Sequence, residues 1–405
     1  MTETTNRIAI IGIGEDGLSG LTASARALVD TAEVLVGGAR HLAMIDDTHT
    51  AERLTWRSPL KDTVADIAAR RDKRLVVLAT GDPMSYGIGV TLGREFGRDA
   101  VTVLPAVGAF SLAAARLGWP LEDVDRITLH GRPMAMLAAF VRPGARLLVL
   151  SEDGTTPAQV AAHLSTAGYG GSEIRVMEHL GGDDEAILSG TAAEWSIGTC
   201  RDLNTIAVEC IAGPDARVFS RAAGLPDDAF DHDGQMTKRE VRAATLAVLA
   251  PQPNALLWDV GAGAGSVAIE WMRLGGKAIG IERSADRIAK AAANASALGV
   301  PTLRLIHGDA PDALDGLSAP DAVFIGGGIT SPGMGKLCWN MLKPGGRLVC
   351  NAVTAEGEMA LTQLHTEIGG AMTRIAVSRL EPVGPYHGWR PLMPVTQFHA
   401  VKGYE

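Results

Sequence analysis

The stretch Leu256–Glu270, LLWDVGAGAGSVAIE, decides how the second half of this 405-residue chain folds. An apolar run with one acid in it reads as a buried strand, and the residues after Gly265 read as a helix. Between them stand Gly261, Gly263 and Gly265. Glycines at such a turn let the backbone approach a ligand and set a helix N-terminus against it. The spacing is GxGxG, not the GxGxxG that cradles a pyrophosphate. Glu282 lies 21 residues after Gly261, at the end of the next strand in AIGIERS. A carboxylate there can accept both ribose hydroxyls of a nucleoside. A third strand ends in His307-Gly308-Asp309-Ala310, where polar groups can meet the base, and LKPGGRLV (Leu342–Val349) is a turn feeding another strand. The alternative for the glycines is a turn that holds no ligand.

Working outward, the same alternation runs through the whole chain. Strand-like runs occur at Ile8–Ile11, Val34–Val36, Leu75–Leu78, Val101–Leu104, Leu147–Leu150, Ala278–Ile281, Leu303–Ile306, Val323–Ile325 and Arg347–Cys350. Helical spacing separates them, as at Thr63–Arg70 and Arg287–Leu298. This predicts α/β layers on largely parallel sheets. The length calls for more than one core. A seam stands in GPDARVFSRAAGLPDDAFDHDGQ, whose Asp227, Asp228, Asp231 and Asp233 suit a solvated linker. The expected organisation is a domain over 1–212, a linker over 213–234 and a second domain over 235–405. A subdomain break is expected near Leu117–Val124.

Composition narrows the function. A formal net charge of −9, with no basic stripe, speaks against a nucleic-acid partner. No apolar run approaches the roughly 20 residues that span a bilayer, and no signal peptide is visible at MTETTNRIAI. Cys200, Cys210, Cys338 and Cys350 are scattered without a CxxC pair, which predicts reduced thiols in the cytoplasm and no zinc site. Neither a metal cluster nor a Ser–His–Asp set stands out.

Near the N-terminus, IAIIGIGEDGL places Gly12-x-Gly14-x-x-Gly17 after a strand. Alone it matches a dinucleotide fingerprint and suggests an NAD-dependent oxidoreductase. The next strand runs into Gly37-Gly38-Ala39-Arg40 with no terminal acid for a ribose, although an arginine there suits NADP and leaves that reading open. VVLATGDPMSYGIG (Val76–Gly89) then leads a buried strand into Gly81-Asp82-Pro83, and VTVLPAVGAFSLAAARLG adds a strand, a turn and an alanine-rich helix.

These three N-terminal motifs, in order, resemble the tetrapyrrole methylase family over about Arg7–Glu209. That resemblance implies two α/β subdomains with S-adenosylmethionine (SAM) in a cleft approached by Gly81, Asp82, Ser85, Gly108 and Ala109, and a substrate-side loop from Gly12 and Gly14. Glu15-Asp16 replace the Pro-Gly usual in that first loop, and Ala106 and Gly108 stand where many members have Gly and Ser or Thr. The C-terminal elements resemble class I SAM-dependent methyltransferases with a Rossmann-like sheet. Met236–Leu246, MTKREVRAATL, is similar to the decarboxylating precorrin methyltransferases. By that match Thr237 contacts the cofactor, and Gly261, Ala262, Gly263, Ala264, Gly265, Glu282, Asp309 and Ala310 line the rest. Read without it, the segment is an amphipathic helix with a solvated basic face.

Both halves together resemble the fused C5,15-methylating, decarboxylating precorrin methyltransferases of cobalamin biosynthesis. The resemblance implies methyl transfer to two meso carbons of a tetrapyrrole and loss of carboxyl from the ring C acetate, with C15 and decarboxylation on the C-terminal half and C5 on the N-terminal half. A sulfonium electrophile and an electron-rich macrocycle need positioning more than catalytic side chains. Lys238, Glu240, Arg242 and His130 are the candidates for handling protons or carboxylates. Arg40, Arg132, Arg242 and Arg390 are candidate carboxylate partners. A homo-oligomer is expected. An RNA or protein methyltransferase, or a chain with one active half and one assembly half, stand as alternatives.

Overall fold

The computed structural model describes residues 7–404. The chain forms two compact units: residues up to Arg132 with Arg142–Arg217, and Pro133–Val141 with Val218 onward.

The first unit holds two five-stranded sheets. Strands β1 (Ile8–Ile13), β2 (Val34–Gly37), β3 (Glu52–Thr55), β4 (Leu75–Thr80) and β5 (Val101–Leu104) form one in the order β3-β2-β4-β1-β5, all parallel. Every residue of β1 is buried, as expected of a strand covered on both faces. After the helix Ala109–Leu117 the second sheet begins. It uses β6 (Val124–Thr128), β7 (Arg146–Leu150), β8 (Glu173–Glu178), β9 (Ala186–Thr191) and β10 (Asn204–Glu209), in the order β6-β7-β10-β8-β9. Only the β6–β7 pair is parallel. The expectation of largely parallel sheets is therefore corrected for this half of the unit. No helix separates β8 from β9 or β9 from β10, so those strands pair antiparallel with their neighbours.

The second unit is one seven-stranded sheet, β13-β12-β11-β14-β15-β19-β16, with a separate β17–β18 hairpin. Its strands are β11 (Leu256–Val260), β12 (Lys277–Glu282), β13 (Arg304–His307), β14 (Ala322–Ile325), β15 (Arg347–Ala352), β16 (Ala371–Ile375), β17 (Ser378–Val383), β18 (Tyr386–Pro391) and β19 (Val395–Val401). All pairs up to β15 are parallel, and β19 runs against β15 and β16. Alternate residues face opposite cores. Trp258, Val260, Ile279, Ile281, Val323 and Ile325 pack on one face; Leu257, Ala278, Ala322 and Phe324 pack on the other. The predicted Arg287–Leu298 helix spans Ala285–Ala297, with Ser284 capping it through the Arg287 N–H.

The stretch expected to be a solvated linker is not one beyond Arg217. Leu225 and Phe230 are buried in the second core. Its acids meet cations: Asp227 pairs with Arg242 and Arg379, Asp231 with Lys290, and Asp233 with Arg287. Charge density alone misread the segment, because the compensating cations come from distant helices and a hairpin.

Arg242 is the fastener. It lies on the buried face of the Arg239–Leu249 helix and is 0% exposed. Its Nε donates to Glu270 at 2.6 Å, Nη1 to the Thr237 carbonyl at 2.6 Å and to Asp227 at 3.3 Å, and Nη2 to the Leu225 carbonyl. The guanidinium also lies 4.8 Å from the Phe230 ring centre. Glu270 accepts in turn from the Gly224 and Leu225 N–H groups. Removing one partner of a buried, hydrogen-bonded pair strands the other charge. Arg242→Ala should therefore destabilise the second unit by about 3–5 kcal/mol, read by calorimetry as a lowered transition for that unit and an unchanged one for the first.

Candidate active sites

In the second unit, β11 delivers the chain into the Gly261–Gly265 loop at the C-terminal ends of the parallel strands. All three glycines have positive φ: +72°, +56° and +78°. They do different work. A side chain at Gly261 would strike the Gly327 backbone, so this glycine lets two loops touch. At Gly263 nothing lies nearer than the Gln235 carbonyl at 3.8 Å, which leaves its face open to a cavity. Gly265 does not line that cavity; it opens the Ser266–Arg273 helix and lies against Ala291 and Ile269. Positive φ and close helix packing account for a glycine at this position.

The cavity encloses about 910 Å³. It gathers Thr237 and Lys238, then Gly261, Ala262, Gly263 and Ala264, together with Glu282, Asp309 and Ala310. Glu282 closes β12, accepting from the Gly263 N–H at 2.9 Å and the Ser284 N–H at 3.0 Å. The carboxylate is thus held beside the open glycine face. Three predicted candidates lie outside the lining. Arg242 is consumed by its buried network, and Glu240 accepts from Arg379 at 2.6 Å. Arg390, on the β17–β18 hairpin, pairs with Glu381 at 3.0 Å.

Asp259 went unassigned in the sequence reading, although the signal is there: an acid inside a strand whose neighbours are all apolar. It is 1% exposed and lines the cavity. Oδ2 accepts from the Ala268 N–H at 3.0 Å, while Oδ1 has no partner. Burial, partly opposed by the Ala268 hydrogen bond and reinforced by the charge of Glu282, pushes its pKa up to about 7.

In the first unit, a cavity of about 750 Å³ lies between the two sheets. Gly81, Asp82 and Ser85 line it after β4; Gly108 and Ala109 line it at the start of the next helix. His130 joins them from beyond β6, its imidazole 3.5 Å from Glu152. Of the expected substrate-side loop, Gly14 lines the cavity and Gly12 lies behind it. A side chain at Gly12 would overlap the Gly81 carbonyl and the Ala106 nitrogen, so it is a packing glycine.

The Glu15 that replaces the usual loop residue has a structural reason. It pairs with Arg40 and accepts from His179 Nδ1 at 2.7 Å. Arg40 also donates to Thr80 Oγ1 at 3.1 Å and to His41 Nε2 at 3.0 Å, so it is engaged before any substrate arrives. An arginine cannot accept, which leaves the hydrogen of a neutral His41 on Nδ1. Burial and the Arg40 charge together push His41 down to about 4. Arg132 is differently placed: its guanidinium lies 5.2 Å from the centre of the Tyr86 ring, on the cavity lining.

Each half thus presents a glycine-walled cavity at the ends of parallel strands, and the comparisons with known proteins divide at the same place. The tetrapyrrole (corrin/porphyrin) methylase family matches residues 7–195, and the precorrin methyltransferase domain family matches residues 228–402. A Sinorhizobium precorrin-6Y C(5,15)-methyltransferase [decarboxylating] is 46% identical over 398 residues, covering 98% of this chain and 96% of that protein. The chain belongs to the precorrin-6Y C5,15-methyltransferase (decarboxylating) family. A Mycobacterium tuberculosis member (strain CDC 1551 / Oshkosh) is 44% identical over 98% of this chain and 100% of its own. The crystal structure of the C-terminal domain of precorrin-6Y C5,15-methyltransferase from Rhodobacter capsulatus covers 45% of this chain and 100% of that one, at 47% identity and a TM-score of 0.44. Among the described residues, no helix is long and apolar enough to cross a membrane.

For this family member, the buried Asp259 sets a pH dependence. Its folded pKa lies above that of an unfolded aspartate, so the folded state holds a proton the unfolded state releases. Its contribution is complete below about pH 4 and is lost as pH rises to about 7. Over that window the second unit should lose up to about 4 kcal/mol from this group. Asp259→Asn should flatten the slope, measured by calorimetry at several pH values.

Proposed function

We propose that this chain transfers two methyl groups from SAM to precorrin-6Y, at C5 and C15, and removes carboxyl from the ring C acetate. One observation carries the reading: a chain matching decarboxylating C5,15-methyltransferases along nearly its full length also builds a separate cavity in each half. We assign C15 methylation and decarboxylation to residues 235–405 and C5 methylation to residues 1–212, the halves where the two family matches fall. We also place the enzyme in the cytoplasm, since its four cysteines are free thiols.

The C-terminal cavity suits a cationic nucleoside. Asp259, Glu282 and Asp309 line it, the first with an unpartnered oxygen, and the Gly263 face has room for close approach. Thr237, Gly261, Ala262, Gly263, Ala264, Glu282, Asp309 and Ala310 would hold SAM there. Gly81, Asp82, Ser85, Gly108 and Ala109 would hold it in the N-terminal cavity. Bound SAM supplies an electrophilic methyl on a sulfonium. The chain's task is then orientation: Glu282 fixes the ribose, the glycine loop fixes the approach, and both cavities limit water. In the N-terminal cavity, Arg132 is a cation available to substrate oxygens.

Two SAM molecules should bind per chain by calorimetry; a single site on folded protein overturns the two-site reading. Glu282→Gln should weaken only the C-terminal site, by roughly 10- to 100-fold, the worth of a charge-assisted hydrogen bond. Carbon dioxide release and C15 methylation should fall together in that variant, followed by product mass. Undiminished carbon dioxide release with a weakened C-terminal site would reverse the assignment of the halves.

A further inference from the structure

The strand order divides the C-terminal cavity chemically. All the charged side chains in its lining come from the segment before β11, from β11, β12 and β13, and from the turns and the Ala285–Ala297 helix that follow them: Lys238, Asp259, Glu282, Arg283, Arg287 and Asp309. On the other side of β11, the lining from β14, β15, β19, β16 and their connections includes no charged side chain among the described residues. Its apolar part is Val353, Ile375, Val377, Leu392, Met393 and Val395. Within this wall stands one locked amide. Asn351 Nδ2 donates to Thr245 Oγ1 at 3.0 Å, and its Oδ1 accepts from Gln397 Nε2 at 3.0 Å. Gln397 spends its second N–H on the same Thr245 oxygen, also at 3.0 Å. Thr245 and Gln397 are buried, so the orientation of Asn351 is held from behind. One Asn351 N–H remains for whatever enters.

Resting on the functional reading above, we propose that this uncharged wall is the decarboxylation chamber: it receives the departing acetate carboxylate, oriented by one hydrogen bond from Asn351 and denied a cationic partner. The chemistry explains the missing cation. A carboxylate paired with Lys or Arg is stabilised before reaction, whereas in the transition state its charge is leaving it. The bond between the acetate methylene and the carboxyl carbon breaks, and its electron pair passes into the conjugated macrocycle. Carbon dioxide departs, and the methylene takes a proton from water to become a methyl group, leaving hydroxide. Apolar surroundings raise the localised charge of the carboxylate more than the delocalised charge that replaces it. A neutral amide supplies aim without supplying a counter-charge.

Opposite effects on binding and rate test the idea in the full-length enzyme with precorrin-6Y and SAM. Met393 is 65% exposed as well as cavity-lining, so Met393→Lys can fold. The new ammonium should lower the KM for the macrocycle while slowing carbon dioxide release at least about tenfold. Asn351→Ala should slow release by a similar factor. Both variants should bind SAM as the wild type does, by calorimetry. Wild-type or faster release in either variant, a raised KM for Met393→Lys, or lost SAM binding overturns the chamber. If the wild-type enzyme itself releases no carbon dioxide, the functional reading fails, and that failure is visible before any variant is made.

Discussion

A guanidinium sealed from water cannot be neutralised and cannot be left without partners, and the C-terminal half is arranged around meeting that demand at Arg242. Glu270 supplies the counter-charge, while the Leu225 and Thr237 carbonyls and Asp227 take three of the other N–H groups. Those acceptors lie on the chain that enters the second sheet. Satisfying one side chain therefore pins residues 225–237 against the Arg239–Leu249 helix and brings Thr237 to the cavity. Breaking any one of these contacts leaves an uncompensated polar group in a dry interior. The wall of the site and the stability of the unit are consequently one problem with one solution.

The two cavities solve ligand recognition differently. In the second unit, three acids and three cations share the lining near the glycine loop, and burial raises the pKa of Asp259 to about 7. In the first, Glu15 is already neutralised by Arg40 and faces His179, and His41 is kept uncharged. The N-terminal site thus shows a ligand mainly fixed, pre-paired groups and the stacked Arg132–Tyr86 pair.

Much of this was legible in the sequence, for identifiable reasons. Strand–glycine–helix units at Leu256–Glu270 and Val76–Gly89 are local, so period and turn chemistry point to Glu282, while Gly81 and Asp82 came from the order of motifs that resembles the tetrapyrrole methylases. What escaped depends on distant partners. Asp227, Asp231 and Asp233 read as a solvated run because Arg379, Lys290 and Arg287 are remote in sequence. Arg242 read as a candidate substrate-carboxylate partner because nothing local announces Glu270. The antiparallel sheet of the first unit was hidden too: β9 has an exposed, mixed pattern with little periodicity to read. Asn351 drew no notice because its meaning comes from Thr245 and Gln397, one on a helix and one on the antiparallel strand β19.

Gly12 shows what the first cavity can and cannot become. A side chain at Gly12 would overlap the Gly81 carbonyl and the Ala106 nitrogen, so strand β1 and the loops after β4 and β5 pack main chain to main chain. A substitution at Gly12 displaces them together. The side chains that line the cavity are free of that constraint: Tyr86 and Phe110 from the first sheet's connections, and His130, Met177, Leu180 and Asn204 from the second sheet and its loops. The first unit separates a rigid main-chain junction from an editable lining, and directed evolution toward new tetrapyrroles has its useful library on that lining.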